Sequence, residues 1–382
     1  MAVSDLLPTV APPGRAASLR AVERAAGELR RGDPVLVRPD QGPAMLALAA
    51  ETASAESIAR VSRLTGRVPW IVLTGQRAVA LGLSDDPGGV LRIALNTLPD
   101  SATVQALADP TRWVQAPELA DCQRTPIPSD ARDGEVEVAR LTKIARLLPA
   151  ALVVPVDRPL GTDRLLQNAD ILSVGAFDID GYERDAARSL TRVAQARVPI
   201  QVAEASQIVA FRPADGGQEH LAIIIGTPDP AQPVLVRMHS ECFTGDLIGS
   251  LRCDCGPQLR GALAEIAKHG AGVLLYLSQE GRGIGLINKL RAYTLQDQDF
   301  DTVDANVMLG YGVDERVYLP AAEMLRQLGI TRVRLMTNNP DKSAQLSSLG
   351  IEVVQRVSHI FPANGHNEFY LRTKRERSGH LL

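Results

Sequence analysis

Cys242, Cys253 and Cys255 lie in the stretch HSECFTGDLIGSLRCDCG, a cysteine followed after ten residues by Cys-x-Cys. Thiolates bind zinc, and structural zinc sites usually reach four protein ligands through paired C-x-x-C-like knuckles. This stretch offers three sulfurs and no fourth cysteine, which leaves a coordination position open as a catalytic zinc requires. On an extended segment Cys253 and Cys255 project to the same side, and Cys242 arrives from the end of the preceding strand. His239 and Glu241 flank the group. Spacing alone leaves two other readings open: buried thiols, or a closed structural site completed by His239.

The ligand type has a chemical consequence. Three thiolates formally over-neutralise Zn²⁺, so a bound water is acidified less than at a neutral three-histidine site, where its pKa falls to about 7. A separate proton acceptor, most simply a carboxylate, is therefore expected nearby.

Three further stretches carry groups suited to a nucleotide. SQEGRGIG follows the apolar run GVLLYL and precedes a helical pattern, a place where backbone N–H groups favour phosphate. In it Glu280 could accept hydrogen bonds from a base edge and Arg282 could fork onto phosphate oxygens. The stretch lacks the GxxxxGK[ST] pattern, and a turn with a solvated salt bridge is the plainer alternative. GYGVDERVYL holds Asp314 and Arg316 two apart; in isolation such a pair is a surface ion pair of little energetic weight. LMTNNPDK sets Thr337 and Lys342 between a strand and a helix, where α/β active sites are built, the alternative being a polar turn with Asp341 as the helix cap. Their joint placement is the argument.

The elements that must position these residues follow from periodicity. LRAVERAAGELRRGDPVLV reads as an amphipathic helix stopping at Gly32 before a strand at Val35–Val37, and SAESIARVSRLTG with VPWIVLT repeats that order. EVEVARLTKIARLLPAALVVPV adds a helix and an apolar strand. In the second half PVLVRMH is a strand, and PQLRGALAEIAKHG a helix starting near Pro257 and stopping at Gly270. GVLLYL is a strand, INKLRAYTLQ and AAEMLRQLG are helices, and RVRLMT, DKSAQLSSLG and IEVV form strand, helix and strand. The expected class is α/β (α+β), in two domains, each a mixed sheet flanked by helices. The boundaries read as a flexible tail over 1–14, a first domain over 15–156, a connector over 157–198 and a second domain over 199–382.

The 382 residues, 45% hydrophobic and 22% charged, can bury a large core in two domains. A net charge of -3 supplies no basic field for nucleic acid or a membrane surface, so the partner is a small phosphorylated ligand met by a local site. No apolar run approaches the roughly 20 residues that span a bilayer, and the start has no secretory h-region, so a cytoplasmic protein is expected. Four cysteines are too few for a disulfide framework and fit a reducing compartment; Cys122, apart from the others, reads as an inert buried thiol.

Taken together, RMHSECFTGD, SLRCDCGPQL, QEGRGIGLINKLRAY, DTVDAN, GYGVDER and MTNNPDK resemble GTP cyclohydrolase II in order and spacing, over roughly residues 200–382 including the terminal GHLL. The resemblance implies a hydrolase acting on a cyclic amidine C–N bond: zinc on Cys242, Cys253 and Cys255, water attack at C8 of guanine, and loss of formate and pyrophosphate. The implied product is the diaminopyrimidine that begins riboflavin synthesis. Asp314 would be the proton acceptor, Arg316 the nucleophile or electrostatic partner at the α-phosphate, and Tyr293 a neighbour of the reacting ring. Arg237, Met238, His239, Ser240, Glu241, Gln258, Glu280, Gly281, Arg282, Thr302, Thr337 and Lys342 would contact GTP. Mg²⁺ is implied with the triphosphate, and a homodimer is implied as the assembly.

The N-terminal half resembles 3,4-dihydroxy-2-butanone 4-phosphate synthase, which needs an acidic cluster after its first strand and a histidine to hold Mg²⁺. Here VRPDQGPAML offers Asp40 alone, and no histidine precedes His220. The expectation is a degenerate synthase-like domain with a structural, dimerising or regulatory role. The rival readings are a diverged cyclohydrolase of another pathway, a bifunctional enzyme with an unrecognised N-terminal activity, and a non-catalytic zinc-stabilised binding module.

Overall fold

Runs such as VLVR, AMLALA and AALVVPV in the first half, and VLVRMHS and GVLLYL in the second, are too apolar to face water on either side, and each becomes a strand inside a sheet covered by helices. The computed structural model describes residues 13–112, 122–131, 134–156, 170–361 and 365. It has two seven-stranded mixed sheets and divides by packing into two units. Residues 1–12 of the tail expected over 1–14, residues 157–169 of the expected connector and the terminal GHLL lie outside the described residues, while Pro13 and Gly14 belong to a helix.

The first unit comprises Ala17–Tyr182 together with Ile287–Glu315. Its elements begin with α1 (Pro13–Arg31), β1 (Val35–Arg38), β2 (Ala44–Ala49), α2 (Ala55–Thr65), β3 (Trp70–Thr74), α3 (Gly75–Ala80) and β4 (Val90–Ile93). There follow α4 (Ser101–Ala108), β5 (Arg124–Ile127), α5 (Glu135–Ile144), β6 (Ala150–Val156), β7 (Ser173–Gly175) and α6 (Ala176–Arg188). The sheet runs β5-β4-β3-β6-β2-β1-β7, antiparallel except for the β1/β7 pair. Leu29 of α1 and Leu141 of α5 share a core with Val37, Ala47, Val72 and Val153 of the sheet. The α2 helix starts where its sequence says it should: Ser54 and Ser57 form a reciprocal capping box.

The second unit holds Glu183–Leu286 and the residues from Arg316 onward. In chain order its strands and helices, with the two helices of Ile287–Glu315 interposed, are β8 (Thr191–Arg197), β9 (Ser206–Arg212), β10 (His220–Ile225), β11 (Val234–Ser240), α7 (Cys255–His269), β12 (Gly272–Leu277), α8 (Leu286–Gln296), α9 (Thr302–Met308), α10 (Leu319–Gln327), β13 (Arg332–Met336), α11 (Pro340–Ser348) and β14 (Glu352–Val357). The order is β14-β13-β11-β12-β10-β9-β8. From β14 through β12 neighbours are parallel; from β12 through β8 they are antiparallel. Because β13, β11 and β12 are adjacent and parallel, the loops leaving their carboxyl ends emerge at one edge of the sheet. Those loops begin at Thr337, Glu241 and Ser278, and such an edge is where α/β sheets take ligands.

Several local expectations change. AMLALA, to which the periodicity assigns no element, is a fully buried strand, β2, antiparallel to β1. Residues 173–197 carry two strands and a helix. Asn339, not Asp341, caps α11, accepting from the Asp341 N–H at 2.9 Å with Pro340 opening the helix. Cys255 is the first residue of α7 and not part of an extended run, and Cys122 is half-exposed, not buried. No described helix is long and apolar enough to cross a membrane.

Candidate active site

The three sulfurs predicted to share an ion come together. Cys242 follows the end of β11, Cys253 lies in the loop before α7, and Cys255 opens that helix. Their Sγ atoms all lie within 4.8 Å of one another, with Cys242 and Cys253 at 3.7 Å. Tetrahedral zinc with Zn–S bonds near 2.3 Å places sulfurs about 3.8 Å apart, so the trio has the spacing of a metal's ligands. Among the described residues no fourth histidine, cysteine or carboxylate joins this group, and His239 is turned elsewhere. That favours an open site over the closed one.

Local backbone explains the convergence. The chain turns through a π-helical segment, Phe243–Leu247, and Gly245 lies against the sulfurs. A Cβ at Gly245 would lie 2.8 Å from Cys253 Sγ and 3.1 Å from Cys242 Sγ, so only glycine leaves the cradle open. The crowded thiols hold their protons: hydrogen bonding to Cys242 is the first cause that pushes Cys253 up to about 11 and Cys255 well above the usual thiol range. A divalent cation reverses this preference, since it stabilises the thiolates that repel one another without it. The donor set therefore fits zinc.

Asp246 fixes the loop that carries Cys242. Its carboxylate, 6% exposed, accepts from the Cys242 N–H and from Tyr276 Oη, each at 3.0 Å, and both its oxygens stand 3.0 Å from His239 Nε2. His239 stacks on Tyr276 with ring centroids 5.6 Å apart. Burial pushes the His239 pKa below its usual value while Asp246 opposes the shift. Glu280 acts on the same loop from the turn after β12: Oε2 accepts from the Phe243 N–H at 2.6 Å and Oε1 from the Gly281 N–H at 2.9 Å. The Glu280 carboxylate thus braces the cysteine loop. Asp246→Asn keeps the shape but weakens the acceptor, and a ten- to hundredfold loss of zinc affinity is expected, read by competition with a chromophoric chelator. Affinity equal to the unsubstituted chain would refute this role.

The loop after β12 is backbone-strained in a useful way. Gly281 and Arg282 sit at φ 64° and 62°, and Arg282 is a side-chain-bearing residue in the left-handed region. In this turn the Gly281 N–H donates to Glu280 Oε1, so the strained backbone also holds the Glu280 carboxylate in place.

Beneath the sheet edge runs a buried polar chain. Arg237 donates to Met336 O at 2.9 Å and to Gln258 Oε1, and Gln258 in turn donates to Asp254. Burial lowers the Arg237 pKa to about 10, with Asp254 opposing, so the guanidinium stays charged at neutral pH. The Met238 side chain belongs to the core. Ser240 Oγ is buried without a hydrogen-bond partner among the described residues, and Glu241 accepts from Ser278 Oγ at 2.9 Å. Thr337 Oγ1 accepts from the Asn339 N–H at 3.1 Å. Arg316 and Lys342 both lie by the ring of buried Tyr318, at 5.8 and 5.6 Å from its centroid. Two cations on one ring are stabilised by an anion between them.

His359, beyond β14, closes this side. Its N–H donates to Asn338 Oδ1 at 2.8 Å and its Nε2 meets Gln258 O at 2.9 Å. Burial, then Arg237, lowers its pKa from 6.5 to about 4. A depressed histidine contributes stability that is complete above its unfolded pKa and is lost as pH falls from 6.5 toward about 4. The unfolding midpoint of His359→Gln is expected to depend less on pH across that window than that of the unsubstituted chain; an identical slope would remove the assignment.

Three expected residues belong by packing to the other unit. Tyr293 is on α8 with Lys289 Nζ 5.7 Å from its ring centroid, Thr302 opens α9 behind the cap Asp301, and Asp314 lies in the turn before Arg316. Sequence reasoning missed Asp246, Asp254, Tyr276, Tyr318 and His359. For Asp246 the signal was present: a carboxylate four residues after Cys242, inside the loop that the cysteines bracket.

The GTP cyclohydrolase II family model matches residues 191–358. GTP cyclohydrolase-2 of Azospirillum brasilense is 53% identical over 383 residues, covering 100% of this chain and 99% of that protein. Riboflavin biosynthesis protein RibBA of Salinispora tropica is 37% identical, covering 94% of this chain and 98% of that one. Among solved structures, RibBX, a two-domain 3,4-dihydroxy-2-butanone 4-phosphate synthase from A. baumannii, aligns with a TM-score of 0.35 and 15% identity over 89% of this chain and 99% of its own. With the Azospirillum brasilense relative 53% identical over the full length, and with the three sulfurs and the loops after β11, β12 and β13 gathered at one sheet edge, the chain belongs to the GTP cyclohydrolase II family.

Proposed function

We propose that this chain hydrolyses GTP to 2,5-diamino-6-hydroxy-4-(5-phosphoribosylamino)pyrimidine, formate and pyrophosphate, the opening step of riboflavin biosynthesis. The observation that carries the reading is the three-sulfur group with no fourth ligand among the described residues, at the carboxyl ends of parallel strands. Zinc held by Cys242, Cys253 and Cys255 supplies the Lewis acidity that makes water a nucleophile near neutral pH. Every other task falls to the chain itself.

Asp314 takes the proton that a three-thiolate site acidifies only weakly, with Tyr293 beside the reacting ring. Arg316 meets the α-phosphate, and Lys342, which shares the Tyr318 ring with it, offsets charge on the polyphosphate together with Arg282. Arg237, His239, Ser240, Glu241 and Gln258 contact GTP with their polar groups, Met238 with its backbone because its side chain lies in the core, and Thr302 and Thr337 with their hydroxyls. Mg²⁺ arrives with the triphosphate as part of the substrate and screens the charge that develops as pyrophosphate leaves. Residues 15–156 carry no synthase activity, since Asp40 is the only carboxylate in the stretch VRPDQGPAML at the end of the first strand and a sugar rearrangement that depends on a metal needs its ligands. A homodimer is the expected assembly.

Incubation of the purified chain with GTP and Mg²⁺ under reducing conditions is expected to release formate and pyrophosphate in equal amounts. Release of neither would sink the proposal. In a parallel tube ribulose 5-phosphate is expected to stay unchanged; formation of the butanone phosphate would contradict the N-terminal reading.

A further inference from the structure

The segment Ile287–Glu315 bears Tyr293, Thr302 and Asp314, yet it packs with residues 17–182. Its two helices have 11 and 7 residues, fewer than the roughly 12–15 an isolated helix needs to persist in water. Their shape therefore depends on what they pack against. The contacts are specific and buried. Arg291 on α8 reaches Glu51 Oε1 at 2.9 Å and Asp109 Oδ2 at 3.2 Å, and its side chain is 17% exposed. Arg77 on α3 donates to Met308 O at 2.8 Å, closing the end of α9. Tyr311, 1% exposed, donates to Leu147 O at 2.6 Å. Thr74 Oγ1 donates to Gly310 O at 2.7 Å, an approach so close that a Cβ at Gly310 would stand 2.8 Å from that hydroxyl.

We infer that the N-terminal unit serves as the holder of this segment, with Glu51, Asp109 and Arg77 as positioning residues for the GTP-binding groups on α8, α9 and the following turn. The inference rests on the proposed roles of Tyr293, Thr302 and Asp314. It gives the N-terminal half a task in the cyclohydrolase reaction that needs none of the ligands a synthase would use. The charge pattern supports it: Arg291 is clamped by two carboxylates that lie far apart in sequence, one after β2 and one after α4, so the clamp exists only when the first sheet and its helices are folded.

The test uses the full chain carrying Glu51→Gln and Asp109→Asn together, near-isosteric changes that remove the charge from the clamp. The kcat for formate release is expected to fall at least tenfold, and amide exchange over 287–315 to rise. The cobalt-thiolate absorption of the cysteine site should stay at its unsubstituted intensity. Arg291→Ala should reproduce the loss and Arg291→Lys recover part of it, a rescue that general destabilisation would not give. If the double variant turns over like the unsubstituted chain, the inference is overturned, whether or not exchange rises. Asp314→Asn separates this from the underlying reading: full turnover in that variant removes the proposed site, whereas an inactive Asp314→Asn beside a fully active clamp variant removes only the holder role.

Discussion

Cys253→Ser is expected to lower formate release by at least about a thousandfold and to leave the purified chain with little bound zinc. Cys253 is 5% exposed and its sulfur stands 3.7 Å from that of Cys242, so no outside ligand can readily take its place. A serine hydroxyl is harder, shorter in reach and far less acidic than a thiol, and with only three protein ligands the loss of one leaves too few for tight binding. Metal content by mass spectrometry and the thiolate-to-cobalt absorption check the binding directly. A variant that keeps one zinc per chain and full turnover would refute the assignment of the ion to these sulfurs.

Arg316→Ala is the second large effect, about a hundred- to thousandfold in kcat, the range seen when a preorganised charge aimed at a transition state is removed. Zinc content should hold, because Arg316 is not one of the three sulfur ligands, and the unfolding temperature should change little, because the half-buried Arg316 meets the core at the Tyr318 ring alone among the contacts described above. Formate and pyrophosphate should fall together if both come from one committed complex. Full turnover in Arg316→Ala would show the role to be wrong, whereas partial activity in Arg316→Lys would point to charge over geometry.

Much of this was legible in the sequence because its signals are local. Strong period-2 and period-3.6 patterns marked β11, α7, β12, β13 and α11, and the cysteine spacing marked a metal cluster. What the chain hid was whatever depends on a partner distant in sequence. AMLALA, to which the periodicity alone assigns no element, becomes β2 because β1 and β6 flank it. Asp246 gains its meaning from Tyr276, thirty residues on, and from His239 on the neighbouring strand. Tyr318 looks like an ordinary core aromatic until Arg316 and Lys342 meet at its ring. Cys255 was misread because Cys-x-Cys fits a strand and a helix start equally well, and Asp254 ahead of Gly256 and Pro257 tips it to the latter.

The path of the backbone has a consequence for how this protein can be taken apart. The chain leaves the first unit after Tyr182, returns to it after Leu286 and departs again after Glu315, so each unit is built from pieces that the other interrupts. No single peptide bond separates them. A gene truncated to the family-matching half would encode α8 and α9 without their packing partner, and a protease nick between the halves would release neither as a finished body. The two halves are interleaved text, not consecutive chapters, and selection on either must act on both.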